Sequence, residues 1–231
     1  MKKLAFAILC LGISATALAQ SSSFSFGPRI SSYNTDYRGV VLLKTGRQTA
    51  FGLQGDYRSG SFVLDYFYDH DPSNGASVID LLIDTGDYTR DRGEVTAGWS
   101  ILPVLDLQGG VRYETYRIGG VSIIGTSLFT DVDATHQALV FGAKLHSDPR
   151  QRVGVYLLGR GYVGNMKIDD RAIDETSNGY RFEAGVSIPL GESSWSIVPA
   201  AEYEHFKMED SATRINTNRV MLSFVYRGGG R

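Results

Sequence analysis

The sequence predicts an all-β fold, a ten-stranded antiparallel up-and-down barrel that crosses a membrane. Three observations support this prediction. Apolar and polar residues alternate in ten segments, as they do in strands with two different faces. The connections between these segments alternate between long and short, and the aromatic residues concentrate near both ends of the segments. A barrel of eight strands is the alternative, if the first two segments form an extension or a plug.

The alternation is clearest in a hairpin over residues 178–203. One face of its first arm is apolar and consists of Tyr180, Phe182, Ala184, Val186 and Ile188. The apolar face of its second arm consists of Trp195, Ile197, Pro199, Ala201 and Tyr203. The opposite faces carry unlike charges, and residues 191–194 supply a tight reversal. Rings at the ends and small aliphatic residues between them suit strands with lipid on one side and a wet or salt-bridged lumen on the other.

The same reasoning assigns every segment in chain order. The predicted strands are 22–33, 47–58, 61–70, 90–102, 106–118, 136–147, 151–164, 178–190, 195–203 and 216–227. Short turns lie at 59–60, 103–105, 148–150 and 191–194, and long loops lie at 34–46, 71–89, 119–135, 165–177 and 208–215. Barrels of bacterial outer membranes have an even strand count, short periplasmic turns and longer outer loops. With the first strand starting in the periplasm, every long loop falls outside.

The start of the chain predicts secretion. Lys2 and Lys3 precede a mostly apolar stretch over residues 4–18, and Ala17-Leu18-Ala19 is a small-residue cleavage site. We therefore divide the chain into a signal peptide at 1–19 and a barrel domain at 20–231. Cys10 is the only cysteine, so the predicted mature chain has no disulfide, thiolate metal site or cysteine nucleophile.

The charge balance excludes one large class of function. The predicted signal removes two lysines and no acids from 23 basic and 25 acidic residues, which leaves a net charge of −4. Proteins that bind nucleic acid show a basic patch or stripe instead. We therefore expect no nucleic-acid partner.

Ten aromatic residues are expected at the two membrane interfaces. With the strand directions set by the loop lengths, Tyr and Trp side chains sort to the strand ends, where amphipathic rings are favoured. The predicted interface residues are Tyr57, Phe62, Tyr66, Tyr68, Trp99, Tyr180, Trp195, Tyr203, Phe224 and Tyr226.

Twelve charged residues are predicted to face the lumen. They are Asp56, Asp65, Glu94, Arg112, Glu114, Lys144, Arg160, Arg181, Glu183, Glu202, Glu204 and Arg219. Buried charges must be paired or hydrated. One interpretation is a salt-bridge network that plugs the barrel, and the other is a narrow, charge-selective water path. Since ten strands lie between filled and open barrels, we expect a mostly plugged lumen.

The predicted outer loops are acidic, with 13 acidic and 5 basic residues. This excess favours cations at the mouth of the barrel. Loose Ca²⁺ or Mg²⁺ ligand sets could form from Asp80, Asp84 and Asp87, or from Asp169 and Asp170. None of these has the spacing of an EF-hand loop, so we predict no metal site and no cofactor.

Catalysis at the outer rim is the third functional class considered. Asp69, Asp71 and His205 are the candidates, because a histidine or carboxylate at a strand end could activate water. Adjacent strand residues point to opposite faces, so Asp69 and Asp71 could act together but Asp69 and His70 could not. The sequence shows no complete catalytic arrangement, so a protein without enzymatic activity is favoured and a hydrolase stays the alternative.

In its architecture the chain resembles the small bacterial outer-membrane β-barrel proteins of the broad OmpA-like and porin-like class. The last strand, with Val220, Leu222, Phe224 and Tyr226 at alternate positions, resembles the C-terminal signal of that class. It departs from the pattern because residues 227–231 follow the final aromatic residue. The strand count is also that of the omptin proteases, but this chain is shorter and does not show their catalytic motifs.

The resemblance implies a place in the bacterial outer membrane of a Gram-negative cell, contact with outer-membrane lipid, and insertion by the barrel-assembly machinery through the last strand. It implies a structural or narrow porin-like role that favours cations. The alternatives are a surface adhesin or receptor-like barrel, and an outer-membrane hydrolase with its site at the extracellular rim. A soluble periplasmic barrel is the alternative fold, and it would have an apolar interior. The oligomeric state is left open.

Overall fold

The protein forms a closed antiparallel β-barrel of ten strands. The computed structural model describes residues 22–38, 42–44, 47–72, 83–85, 88–118, 121–123, 126–129, 132–147, 153–168, 173–210 and 213–229. The barrel strands are β1 (Ser22–Arg38), β3 (Gln48–Ser59), β4 (Phe62–Asp71), β6 (Tyr88–Leu102), β7 (Leu105–Ile118), β10 (Val132–His146), β11 (Gly154–Ile168), β12 (Ile173–Pro189), β13 (Trp195–Met208) and β14 (Arg214–Gly229). The predicted signal peptide lies outside the described residues.

Each barrel strand pairs with its neighbour in the chain, and the sheet closes where β14 pairs with β1. The closing ladder aligns Phe26 with Tyr226 and Ile30 with Leu222. The first two predicted segments are therefore the barrel strands β1 and β3, which confirms ten strands and rules out the eight-stranded alternative. Closure leaves no open sheet edge, the condition for a β-structure in a lipid environment.

Several strands extend further than the sequence predicts at the end opposite the short turns. For example, β12 begins at Ile173, where the prediction had a loop to 177, and β1 continues to Arg38. The register of β11 with β12 runs without interruption from Ser187 to Ile173. Backbone pairing needs no apolar side chains, so a strand can continue after its hydrophobic alternation ends. This is why the polar ends were predicted as loops.

Three of the predicted loops contain short strands of their own. Strand β2 (Leu42–Lys44) pairs with the end of β1. Strands β5 (Ile83–Thr85), β8 (Val121–Ile123) and β9 (Thr126–Phe129) form a separate antiparallel sheet. Residues from the predicted loops 71–89 and 119–135 are thus joined by backbone hydrogen bonds. Sequence periodicity does not reveal pairing between segments this short.

Two of the short turns depend on glycine. Gly60 has a φ of 57° and Gly191 a φ of 64°. Side chains other than glycine rarely adopt this left-handed backbone conformation. The two glycines allow the tight reversals between β3 and β4 and between β12 and β13.

The barrel is polar inside and apolar outside. Its most exposed large residues, each more than half exposed, include Leu53, Val111, Leu139, Phe141, Leu157, Phe182 and Val220. Their chain neighbours point inward and are often charged, as with Arg181 beside Phe182 and Arg219 beside Val220. A continuous apolar exterior marks a lipid-facing surface. The arrangement contradicts the soluble periplasmic barrel, which needs an apolar interior. No helix in the described part of the chain is long and apolar enough to cross a membrane.

Arginine placed on the apolar exterior tests its contact with lipid. Leu139 lies in the middle of β10, and Ile101 lies beside the short turn after β6. In protein folded into lipid bilayers, we expect Leu139→Arg to lower the free energy of unfolding by about 2–4 kcal/mol and Ile101→Arg by about 0–1 kcal/mol. Urea titration followed by tryptophan fluorescence measures both. Equal, small effects at the two positions would show that water surrounds the barrel.

The charged lumen as candidate functional site

The middle of the lumen contains a network of buried arginines and carboxylates. Strand alternation directs them inward, and many have an apolar outward-facing neighbour, such as Phe182 beside Arg181 and Val220 beside Arg219. The buried arginines are Arg29, Arg90, Arg92, Arg112, Arg160, Arg181 and Arg219. The acids of the network are Asp69, Asp71, Glu94, Glu114, Glu202 and Glu204, and a further buried acid, Asp106, pairs with Arg58 nearer the short turns. At this depth unpaired charges would cost several kcal/mol each, so their pairing decides whether the barrel is stable.

Asp69 joins three arginines from three strands. Arg29 of β1 donates two hydrogen bonds of 2.6 Å to its carboxylate, one to each oxygen. Arg92 of β6 and Arg219 of β14 donate to Oδ2 at 3.0 and 2.9 Å. This carboxylate therefore links strands that lie on both sides of the barrel closure.

Glu94 is the second such centre. It accepts hydrogen bonds from Arg160 of β11 and from Arg181 of β12, the latter at 3.0 and 3.2 Å. The Tyr162 hydroxyl lies 3.3 Å from its Oε2. Bidentate guanidinium–carboxylate contacts are among the stronger hydrogen bonds in proteins.

Two further pairs cross the lumen between strands that are not neighbours. Arg92 of β6 donates to Glu202 of β13 at 2.7 Å. Arg112 of β7 donates to Glu204 of β13 at 2.5 Å and also to Glu114 on its own strand at 2.6 Å. Glu114 accepts a further hydrogen bond from Arg90. Side chains thus span the full width of the barrel at this level.

Aromatic rings fill the space between the charges. The Phe67 ring lies 4.5 Å from the guanidinium carbon of Arg29, 4.7 Å from that of Arg92 and 5.0 Å from that of Arg181. Arg219 lies 4.5 Å from the Tyr33 ring. A cation over a ring face is favourable, and more so without water between them. Tyr33 also donates a hydrogen bond of 2.5 Å to Asp71.

The two sides of the network differ. At the end of the barrel opposite the short turns lies a buried, mostly apolar cluster. Its members are Tyr116, Ala138, Val140, Tyr162, Met166, Phe206, Met208 and Ile215. Toward the short turns lies a polar vestibule of about 350 Å³, lined in part by Asp56, Arg58, Asp65, Lys144, His146 and Glu183. Arg29, Arg160 and Arg181 of the network also line this vestibule. Solvent can therefore approach the network from one side, and the other side is packed.

The twelve sequence-predicted lumen charges all lie on inward faces. Eight are buried: Glu94, Arg112, Glu114, Arg160, Arg181, Glu202, Glu204 and Arg219. Asp56, Asp65, Lys144 and Glu183 are partly accessible and line the vestibule. There Lys144 lies 3.2 Å from both oxygens of Asp65, and Tyr156 donates to Glu183 at 2.7 Å.

The structure does not bring the catalytic candidates together. Asp69 and Asp71 point into the lumen, where the contacts described above engage both carboxylates. His205 lies on the outer wall, with its Nδ1 2.6 Å from Asn216 Oδ1. The side chains of the candidate metal ligands Asp80, Asp84, Asp87, Asp169 and Asp170 lie outside the described residues. In the part of the chain that the structure does describe, no group of three or more His, Cys, Asp or Glu side chains could hold a metal ion.

A buried histidine–serine contact lies at the edge of the network. His136 Nε2 is 2.9 Å from Ser177 Oγ, and His136 Nδ1 is 3.9 Å from Glu114. The three side chains are buried, and the His136 ring packs edge-on against Phe206. Since Arg90 and Arg112 already occupy the Glu114 carboxylate, the contact is a buried polar link and not an exposed nucleophile.

The ten predicted interface aromatics point outward, and several contact one another. At the turn end, Phe62 contacts Tyr57 and Trp99, and Trp195 contacts Tyr226. At the loop end, Tyr180 contacts Tyr203 with ring centroids 6.2 Å apart. Tyr66 and Tyr68 alternate with inward-facing residues of β4, and Phe224 is exposed on β14.

The lumen charges that sequence reasoning missed include Arg29, Arg90, Arg92 and Asp106. A signal for two of them was present: stepping back two residues at a time from Glu94 reaches Arg92 and then Arg90. The predicted strand began at residue 90, but the alternation was not followed back to Arg92 and Arg90. Arg29 is flanked by Pro28 and Ile30, both on the outer wall.

A closed ten-stranded barrel with a charged interior and an apolar exterior defines a class, the outer-membrane β-barrel proteins. Comparison with solved structures agrees. The fold is similar to the outer membrane protease OmpT from Escherichia coli, with a TM-score of 0.52, 8% sequence identity, and coverage of 94% of this chain and 99% of that chain. It also matches the translocator domain of the autotransporter NalP from Neisseria meningitidis, with a TM-score of 0.44, 10% identity, and coverage of 96% and 95%.

A third similar structure is Neisserial surface protein A, with a TM-score of 0.40, 14% identity, and coverage of 88% of this chain and 98% of that chain. No protein-family model matches the sequence, and no curated protein matches it. At 8% identity the likeness to OmpT shows the fold alone. The function named for each similar protein is therefore not assigned to this chain.

Removing one shared acid tests the network. We expect Glu94→Ala to lower the free energy of unfolding by about 3–5 kcal/mol, because it leaves Arg160 and Arg181 buried with fewer compensating charges. Asp133→Ala is the control, since it breaks the exposed pair with Arg117 and should cost less than about 1 kcal/mol. Denaturant unfolding in detergent micelles measures both variants. If both variants lost a similar, small amount of unfolding free energy, water would already screen the charges of the network.

Proposed function

We propose that this protein is a structural outer-membrane barrel whose lumen is closed by the charge network, so that it does not conduct ions as an open porin. The observation that carries the proposal is the pair of bridges across the lumen, Arg92–Glu202 and Arg112–Glu204. They join opposite walls and leave the side chains of both partners almost fully buried.

The energetics of the network support a closed state. An ion moving along the axis would have to separate paired guanidinium and carboxylate groups in a region with little water. Breaking a buried pair without replacing its partner costs several kcal/mol. The apolar cluster beyond the network adds a second barrier, because a narrow apolar constriction excludes water. The vestibule supplies only the turn-end part of a path.

In this proposal the barrel is a membrane-spanning scaffold that holds the long loops at the cell surface. The signal peptide ends near Ala19, and the last strand, β14, is recognised by the barrel-assembly machinery. The outer wall contacts outer-membrane lipid.

A hydrolase at the rim is less favoured, because Asp69 and Asp71 point into the lumen and His205 lies on the outer wall. A surface adhesin or receptor-like role remains compatible with a closed scaffold.

Conductance in planar bilayers tests the closed lumen. We expect mature wild-type protein to insert without steady current steps. Arg92→Ser combined with Glu202→Ser removes one bridge without changing the net charge, and it should produce measurable conductance. The control, Arg117→Ser with Asp133→Ser, removes an exposed pair and should be silent. Steady cation-favouring steps from the wild type would overturn the proposal and favour the narrow pore.

Surface labelling tests the orientation. The predicted mature chain has no cysteine, so single cysteines can be introduced directly. Asp210 lies between β13 and β14 at the loop end, and Ser193 lies in the short turn before β13; both are exposed. In intact cells, a membrane-impermeant maleimide should label Asp210→Cys and not Ser193→Cys. Both should react after the cells are broken. The reverse pattern in intact cells would place the long loops in the periplasm.

A further inference from the structure

Three cations lie side by side on the outer wall, where β1, β14 and β13 are adjacent. The register aligns Arg38 with Arg214, and Arg214 with Lys207. All three side chains are exposed, and the neighbours Ile215 and Phe206 point inward. We call these three residues the cationic row. Like charges directly opposite each other on one face of a sheet are destabilising, so the row calls for a compensating ligand.

Carboxylates compensate the cationic row poorly. Arg38 lies 3.9 Å from Asp36, and this pair is only partly shielded from solvent. Among the described residues, Lys207 and Arg214 form no ion pair. Residues 39–46 and 211–213 contain no acid.

Apart from Asp36, nearby carboxylates along the chain are those of Glu209 and Asp210, just beyond β13. Glu209 accepts a hydrogen bond of 3.1 Å from Asn178. On other walls of the barrel, exposed cations do have acidic partners. Arg117 lies 2.9 Å from Asp133, and Lys167 lies 3.6 Å from Asp174. Arg47, just before β3, is exposed and donates to Ser32 at 2.7 Å, so the poorly compensated cations lie on and next to the wall formed by β1, β14 and β13.

The row lies just beyond the level of the lipid headgroups. Lys207 is four residues beyond Tyr203, one of the predicted interface aromatics, or roughly 13 Å along the strand. Barrel strands are tilted by about 35–45°, which reduces the vertical distance to roughly 10 Å. The headgroup region extends about 5–7 Å beyond the hydrocarbon on each side. The long, flexible side chains of the row can reach back into that region.

The surface between the row and the apolar wall suits a sugar. Tyr203 donates to Asn216 Oδ1 at 3.2 Å, and the His205 ring lies 5.2 Å from that of Tyr180. Amide, hydroxyl and ring groups therefore meet on one exposed face. Such amphipathic rings can stack on apolar sugar faces while their polar atoms form hydrogen bonds.

We propose that the cationic row binds the phosphate groups of a phosphorylated glycolipid in the outer leaflet. Arginine pairs with phosphate in a bidentate geometry, and lysine adds a point charge. The row faces sideways from the wall, toward the positions of neighbouring headgroups, which favours a membrane lipid over a soluble polyanion. The inference rests on the outer-membrane orientation of the proposed function.

Binding to bisphosphorylated lipid A in detergent micelles tests the proposal. Lys207→Gln with Arg214→Gln removes two cations of the row, and Arg117→Gln with Lys167→Gln is the matched control from other walls. We expect the row variant to bind at least about tenfold more weakly, because charge-assisted contacts to phosphate are lost. The control variant should bind like the wild type, and dephosphorylated lipid A should bind the wild type weakly. Native mass spectrometry or thermophoresis measures the affinities.

Three results would overturn the proposal. Equal losses of lipid A affinity in both variants would show that binding depends on the overall charge of the rim. No loss of affinity in either variant would show that the row is not a binding site. Stronger binding of a heparin-type polyanion than of lipid A would assign the row to a soluble polyanion. Affinity in micelles does not depend on orientation in the cell. A wrong orientation would therefore appear in the cysteine labelling while lipid binding stayed intact.

Discussion

Closure of the sheet between β1 and β14 is the constraint on which the rest of the structure depends. In hydrocarbon no water is present to pair with backbone N–H and C=O groups, so an open edge would cost several kcal/mol for each unpaired group. The ladder from Ser23–Gly229 to Arg38–Arg214 satisfies both edge strands at once. Once the sheet is closed, each strand residue faces either lipid or the lumen. Because successive residues point to opposite faces, the alternation along each strand places apolar side chains in lipid and charged side chains in the lumen.

The lumen network follows from that partition and reinforces it. Buried ion pairs often contribute little net stability compared with a well-packed apolar core. Their effect on register is larger, because a strand shifted by one residue would turn its charges toward lipid and its apolar residues inward. A shift by two residues would keep the faces but separate shared acids such as Asp69 and Glu94 from their arginines. The branched pairing of these two acids therefore favours one register for six strands, β1, β4, β6, β11, β12 and β14.

The same packing separates the two regions where chemistry can occur. Inside, carboxylates that could have served as acids or bases are held by guanidinium groups. Outside, the wall near the loop end carries aromatic rings, amides and a poorly compensated row of cations. The proposed scaffold role and the proposed glycolipid site agree on this point: the lumen supplies rigidity, and recognition takes place on the outer wall and loops.

The sequence by itself determined the strand count, the short turns and most of the inward-facing charges. These features are local: alternation at Arg181 and Glu183 or at Glu202 and Glu204 is visible along one strand, and turns such as 59–60 have their own residue signals. It did not determine where the polar strand ends stop, because backbone pairing continues there without apolar side chains.

Only the tertiary structure decided which charges pair. Arg92 meets Glu202, and Asp69 meets Arg29 and Arg219, across separations of 40 to 150 residues. These contacts depend on the diameter of the barrel and on the register of non-adjacent strands. The cationic row has the same origin, since Arg38, Lys207 and Arg214 become neighbours only when the last strand closes on the first.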